Sequence, residues 1–591
     1  MIWCSKLLVV GLVNRRLPTH LVIDLSMLDY LESALGRVIR GLANGDLPAD
    51  FQLEFEQPNN PEHGDLSTNA ALKLARLLKK SPRVIAEDVV ARLRQLPLDE
   101  DRIESVEIAG AGFINFRFSD RYLHLALAEI LTQGEAFGRT SGGAGKRVLV
   151  EYVSANPTGP LTVGHGRNAV LGDTIANLFA SCGYDVTREY YFNDAGRQMR
   201  ILGESVKARY EALARPGGPT RLIEAGEGHV VVPESFPEDG YLGDYIVDIA
   251  RGLYDQHGDG LLSTEGAEPF QKAAQEAIFK EIDATLARLG IRMDEHFNEH
   301  SLYTSGKVWE TVDALREKGY VYDKDGAIWF ETTRLGKDKD TVLVKSTGEP
   351  TYRLPDIAYH VAKLERGFDL AIDVFGADHI ATYPDVLDGV RLLGYDPSRI
   401  DVVIYQFVTL VRNGQPVKMS TRKATYETLD DLMDEVGEDV TRFFFLMRSS
   451  NTHLEFDLDL AKEASEKNPV FYLQYAHARI CSILRKAAEV GFGFDATTDL
   501  TLLRDQSEIA LTKSLLRLPD VLTNATATRE PHRVATYLRE VAVAFSQFYQ
   551  HCRIIGEERT LATARMALAM ATRTVLRNGL AVLGVGAPEQ M

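Results

Sequence analysis

Residues 147–192 read RVLVEYVSANPTGPLTVGHGRNAVLGDTIANLFASCGYDVTREYYF, and this stretch decides the fold. Arg147 to Val153 is an apolar run of strand length, broken by a loop holding Pro157, Gly159 and Pro160. From about Gly164 to Cys182 the apolar positions Val170, Leu171, Ile175, Leu178 and Phe179 recur at helical spacing, and Gly183 ends that pattern. Val186 to Phe192 is again a strand. A strand–loop–helix–strand unit of this kind predicts a parallel sheet with a right-handed crossover. Its loop opens a helix at the carboxyl edge of the sheet, where free N–H groups and the positive end of the helix dipole suit a phosphate. Gly164 and Gly166 allow another group to approach the backbone closely. His165 between them can donate to a phosphate oxygen.

Working outward, Met27 to about Thr140 mixes helix and strand signals. A helical pattern starts at Met27, and Ala70 to Leu78 and Val84 to Leu93 have helical spacing around Ser81-Pro82. Val106 to Phe118, VEIAGAGFINFRF, alternates around glycines as two strands with a tight turn do. Residues 1–26 are expected to be an extension, with the native start at Met27. Residues 138–146, GRTSGGAGK, suggest a phosphate loop, but Thr140 stands where the first Gly is needed and Arg147 where Ser or Thr is needed. A flexible linker is the expectation there.

Downstream, Val342 to Lys345, Leu370 to Phe375 and Val402 to Phe407 are expected as further core strands. Residues 215–340, acidic and loop-rich, are expected as insertions. After about Asp457 strand signals vanish, and Phe471 to Ala488, Ile509 to Leu522, Val534 to Ile555 and Ala562 to Leu583 form amphipathic helical patterns. The expected architecture is multidomain. An α+β domain spans 27–140, an α/β Rossmann-type parallel-sheet core with insertions spans 141–460, and an all-α bundle spans 461–591.

The net charge of −18 argues against wholesale nucleic-acid binding, but residues 511–591 hold ten Lys/Arg against six Asp/Glu. Local charge outweighs the total because screening acts over about 8–10 Å. No apolar run approaches the roughly 20 residues of a membrane span. Four scattered cysteines exclude a disulfide framework and a zinc site, and fit a reducing cytoplasm.

Two further motifs carry chemistry. Pro416-Val417-Lys418-Met419-Ser420-Thr421-Arg422-Lys423 is a basic turn after a core strand. Cations at such a place stabilise charge building on phosphate oxygens. In PTYRLPDIAYH, Pro355 suits the start of a helix running to about Arg366, with Asp356 in its first turn. A buried carboxylate beside the Tyr352 hydroxyl is what a guanidinium needs. Glu151, Ser154 and Asn156 end the first strand, facing the same pocket.

NPTGPLTVGHGR together with the Lys418-Met419-Ser420 turn resembles the two signatures of class I aminoacyl-tRNA synthetases, in their arginyl form. The resemblance covers nearly the whole chain from Met27. It departs at Thr162, where the family has a first His, and at Thr421, where it has a last Lys; Arg422 or Lys423 is expected to supply the missing charge. The resemblance implies that Glu151, Ser154, Asn156, Tyr352 and Asp356 bind arginine. It also implies that Gly164, His165, Gly166, Lys418, Met419, Asp378 and His379 bind ATP, and that His165, Lys418, Thr162 and Ser420 serve catalysis. It implies ATP with Mg2+, L-arginine and tRNA(Arg) as partners, with no zinc, no protein-held metal and no membrane, in a cytoplasmic monomer. The helical bundle resembles an anticodon-binding domain. A synthetase for another amino acid and a tRNA-binding paralogue without catalysis are the alternatives.

Overall fold

The computed structural model describes residues 27–48, 51–58, 60–96, 99, 101–225, 228–417, 428–491, 493–495 and 497–591. Residues 147–192 form strand β1 (Arg147–Glu151), helix α1 (Val163–Ser181) and strand β2 (Asp185–Phe192). The two strands pair in parallel from Arg147↔Asp185 to Glu151↔Glu189. Gly183, at φ +86°, lets the chain leave the helix. Helix α1 is buried on nearly every side, as a helix enclosed between sheet and further helices must be.

Strand β3 (Glu295–Asn298) extends the sheet beyond β2. Helix α2 (Arg353–Glu365) leads to β4 (Leu370–Gly376), which pairs with β1, and β5 (Ile400–Tyr405) pairs with β4. The order is β5-β4-β1-β2-β3, all parallel. The charge-bearing ends of the strands therefore all open on one edge.

Three expectations need correction here. Residues 215–340 are not loop-rich insertions alone: they hold helices Asp244–His257 and Glu268–Arg288 and the fifth core strand. That strand, EHFN, is a short edge strand with no residue fully buried, so it lacks the apolar run that marks a buried parallel strand. The strand expected at Val342 is Thr341–Val344, but it lies in a separate antiparallel sheet with Val321–Lys324 and Ala327–Phe330. Asp325 and Gly326, both at positive φ, make the tight hairpin turn there. Residues 138–146 are not a free linker. Thr140 N–H donates to the Ser181 carbonyl and Gly143 N–H to the Cys182 carbonyl, both at 2.9 Å, fastening the segment to the end of α1.

The N-terminal unit is a four-stranded antiparallel sheet with helices Met27–Leu42, Ala70–Leu78 and Pro82–Leu93 in one core. The C-terminal part is helical: Pro469–Glu489, Gln506–Leu516, Leu518–Thr528, His532–His551 and Arg559–Val582. The single helix expected at Ile509–Leu522 is two, parted at Arg517 with Pro519 in the first turn of the second. Residues 1–26 lie outside the described residues.

Candidate active site

β1 ends at Glu151, and the chain turns sharply through Val153 (φ +65°) and Ser154 (φ +42°). Such left-handed backbone at non-glycine residues costs of order 1–3 kcal/mol each and persists only where surroundings enforce it. Asn168 of α1 enforces it: its Oδ1 accepts the Val153 N–H at 2.6 Å while its Nδ2 donates to the Val374 carbonyl of β4 at 2.7 Å. The turn directs two polar side chains over the sheet edge. The Ser154 hydroxyl donates to Glu151 Oε1 at 2.9 Å and accepts the Tyr191 N–H at 3.2 Å. Asn156 Oδ1 accepts the Asn193 N–H at 3.2 Å, and its Nδ2 donates to Gln198 Oε1 at 3.1 Å.

The start of α1 shows what Thr162 does. It is the N-cap: its Oγ1 accepts the His165 N–H at 3.3 Å, and its own N–H donates to His165 Nδ1 at 3.2 Å. Threonine suits this position because its oxygen satisfies an otherwise unpaired helix N–H. With Nδ1 as acceptor, a neutral His165 carries its proton on Nε2. Burial pushes its pKa down, which favours that neutral donor. A Cβ at Gly164 would make only an ordinary contact, 3.5 Å from Thr162 Oγ1. At Gly166 a Cβ would lie 2.5 Å from Leu429 Cδ1, and the Gly166 N–H is bonded to the Thr162 carbonyl. Gly166 therefore serves close packing inside the protein, not the approach of a nucleotide.

Below the turn lies a group of buried charges on three strands and one helix. Lys363 of α2 sits between Glu151 of β1 and Asp373 of β4, both as salt bridges. His360, one turn earlier, places Nε2 2.8 Å from Asp373 Oδ2. Asp373 is held well below the usual carboxylate range by Lys363 and His360, while burial pushes Glu151 up. Glu189 of β2 accepts from the Tyr359 hydroxyl at 2.6 Å and pairs with Arg366 at 2.5 Å. Glu151 thus underlies the pocket; both its oxygens are engaged inside.

Among the described residues, two carboxylates in this group form no salt bridge. Glu299 accepts from the Tyr191 hydroxyl at 2.6 Å and from Asn193 Nδ2 at 2.8 Å, and burial raises its pKa. The Asp356 carboxylate accepts no hydrogen bond from a described residue. Burial, with Glu151 and Glu299 nearby, pushes its pKa up to about 7. Tyr352 does not close over it: α2 begins at Arg353, and Tyr352 is its N-cap with 77% of its surface exposed. The tyrosines whose hydroxyls feel Asp356 are Tyr191 and Tyr303.

Glu299, Lys363, Asp373 and His360 were missed at the sequence level. A signal existed for three of them. Asp373 interrupts the apolar run LAIDVF, and His360 and Lys363 fall on the buried face of a helix; charged groups seldom enter such places unpaired. Glu299 follows an edge strand without pattern and carried no such mark.

Gly376, Ala377, Asp378 and His379 leave β4 at the same edge. Asp378 and His379 form a short exposed turn, with the His379 ring stacked on Phe375 at 4.9 Å. Lys418, Met419, Ser420, Thr421, Arg422 and Lys423 lie outside the described residues. The residues bordering them are placed: Val417 N–H donates to the Leu410 carbonyl, Leu429 N–H donates to the Leu161 carbonyl, and Thr428 bridges to Thr162. Downstream of the basic turn, the described chain thus resumes against the start of α1. Among the described residues no group of His, Cys, Asp and Glu side chains is arranged to hold a metal ion, and no helix is long and apolar enough to cross a membrane. A groove of about 630 Å3 lies elsewhere, between helices Pro469–Glu489 and His532–His551, lined by Lys467, Tyr472, Arg539 and Gln547 among others.

Comparison with known proteins agrees with this geometry. Residues 126–454 match the family model "tRNA synthetases class I (R), catalytic domain", residues 28–118 the "Arginyl tRNA synthetase N terminal domain", and residues 473–591 the "DALR anticodon binding domain". The chain is 63% identical to an arginine–tRNA ligase of Salinibacter ruber, over 96% of this chain and all of that one. It is 50% identical to an arginine–tRNA ligase of Chlorobium phaeovibrioides, over 91% and 96%. In fold it matches the arginyl-tRNA synthetase structure of Thermus thermophilus with a TM-score of 0.74 at 23% identity, covering 95% and 99% of the two chains. With its strained strand-end turn, its capped α1 and its family matches in all three parts, the chain belongs to the class I arginyl-tRNA synthetases.

Proposed function

We propose that the sheet-edge site carries out the arginine–tRNA ligase reaction with the roles below, and one observation supports them most. Five carboxylates gather under the pocket, Glu151, Glu189, Asp373, Glu299 and Asp356, against two permanent cations, Lys363 and Arg366. Among the described residues, Asp356 and Glu299 are the two that form no salt bridge. A site short of positive charge, with planar acceptors and aromatic walls from Tyr191, Phe297 and Tyr359, suits a guanidinium, which offers five donors in a rigid fork. An apolar amino acid would leave those carboxylates unpaired, which is where selectivity comes from.

Asp356 and Glu299 take the guanidinium, and Ser154 and Asn156 hold the amino-acid backbone. ATP enters as its magnesium complex, with its phosphates at Gly164, the His165 Nε2–H and the start of α1. Asp378 and His379 stand on the rim. An arginine carboxylate oxygen attacks the α-phosphorus; that P–O bond forms, the bond to the β-phosphate bridge breaks, and pyrophosphate leaves. Lys418, with Met419, Ser420 and the cations that follow, neutralises the charge that builds. A ribose hydroxyl of the tRNA end then attacks the arginyl carbonyl, an ester forms, and AMP leaves. Positioning and charge stabilisation do this without a covalent nucleophile. The N-terminal unit and the helical part contact the tRNA, the latter through the groove holding Tyr472 and Arg539, where Arg can meet phosphate and aromatic rings can meet bases.

Charging purified tRNA with each of the twenty amino acids tests this. Arginine alone should be attached. Attachment of another amino acid, or of none, overturns the assignment.

A further inference from the structure

We propose that Phe407 is the stacking platform for an adenine base at this site, a role that rests on the ligase assignment above. Among the described residues Phe407 is the only exposed phenylalanine, with 65% of its surface open. Exposure of so large an apolar ring usually accompanies a loose loop. Here the backbone is instead held on every side. Gln406 N–H donates to the Ser450 carbonyl at 2.9 Å, and the Gln406 carbonyl accepts from Arg167 at 2.5 Å. The Phe407 carbonyl accepts the Leu454 N–H at 3.2 Å.

The anchor matters as much as the exposure. Arg167 is fully buried and lies in the second turn of α1, just past Gly164 and His165. Its guanidinium also donates to the carbonyls of Ser449 and Thr452 at 3.1 and 3.0 Å, so one buried side chain ties the start of α1 to the backbone beside Phe407. Two residues before Phe407, β5 ends at Tyr405 opposite Gly376 of β4, on the same carboxyl edge. Tyr405 in turn reaches Asn168, the residue that enforces the turn at Ser154. Phe407 is thus a rigidly based, solvent-facing ring one arginine side chain away from the phosphate-binding turn. Both adenosine-bearing substrates, ATP and the terminal nucleotide of the tRNA, must come to that edge. A planar base on this ring would cover it and would be placed relative to the reacting phosphate.

The test uses the full chain with Phe407→Ala, Phe407→Leu and Phe407→Trp beside the parent. KM values for ATP and for tRNA are measured in arginine charging, and ATP binding is measured separately by calorimetry. Base–aromatic stacking corresponds to a factor of roughly 5 to 150. Phe407→Ala should raise one of these values by such a factor, with Trp restoring it and Leu not. A change confined to ATP assigns the ring to the nucleotide. A change confined to tRNA, lost when the terminal adenosine is replaced by cytidine, assigns it to the acceptor end. Unchanged values for both, or Leu restoring as well as Trp, would overturn the proposal. Failure of the parent itself to charge arginine would instead overturn the ligase assignment, and calorimetry would still read the platform for ATP.

Discussion

Replacing Asp356 by Asn tests the charge balance of the pocket, because it should weaken arginine binding and stabilise the empty protein at once. In the folded chain the Asp356 pKa lies at about 7 against an ordinary 3.8. A carboxyl whose pKa is raised by folding favours the folded state below its unfolded value, and that contribution is lost as pH rises through the folded value. The gap of about three pH units corresponds to about 4 kcal/mol once pH exceeds 7, and to about 1–2 kcal/mol at pH 5. Asparagine keeps the shape and never ionises. Asp356→Asn should therefore raise the urea-unfolding free energy by about 2–4 kcal/mol at pH 8, and by less at pH 5. Arginine binding should move the other way. The carboxyl must lose its proton to meet the guanidinium, so affinity in the parent should fall about tenfold from pH 8 to pH 6, with nearly one proton released per arginine at pH 6. In the variant the slope should vanish, and affinity at pH 8 should drop by about 3–5 kcal/mol, as for a charge left buried without its partner. Calorimetry in buffers of different ionisation heat reads affinity and proton release together. Equal stability of the two proteins at pH 8, together with pH-independent arginine binding in the parent, would refute the argument.

Lys363→Met should be among the more damaging core changes. It leaves Glu151 and Asp373 buried without their common cation, for a loss of about 3–5 kcal/mol in denaturant unfolding; a loss below 1 kcal/mol would mean the carboxylates find another partner. Gly166→Ala forces its new methyl onto Leu429 and should cost about 1–3 kcal/mol, with Leu429→Ala in the same chain recovering part of it. Simple addition of the two single effects would show that the contact is not the cause. Asp520 is also pushed up to about 7, by burial and by Asp29. Its contribution to stability is lost as pH rises through 7, so Asp520→Asn should raise the melting temperature more at pH 8 than at pH 5. An equal shift at both pH values would put the effect elsewhere.

Where structure follows from neighbours in the chain, the sequence by itself determined it. β1, α1 and β2 lie within a residue or two of their expected places, because strand length, a proline–glycine loop, helical spacing and a closing glycine are all local properties. Helix Ala70–Leu78 and the hairpin around Gly110 and Gly112 follow for the same reason. The first signature alone carries Ser154, Asn156 and His165, which lie between the end of β1 and the first turn of α1, while Asp356 was read from a separate segment and stands in the first turn of α2. Tertiary structure alone decided the rest. β3 joins the sheet through pairing with β2, not through any apolar run of its own. Thr162 became a cap and Gly166 a packing contact only once α1 met its neighbours. Tyr352 was turned outward by the start of α2, and Glu299 was brought in from an unpatterned loop. The charge of the pocket is the clearest case. Which carboxylates are neutralised depends on which of them Lys363 and Arg366 reach, over separations of 212 and 177 residues. Those distances are set by the fold, and no spacing along the chain records them.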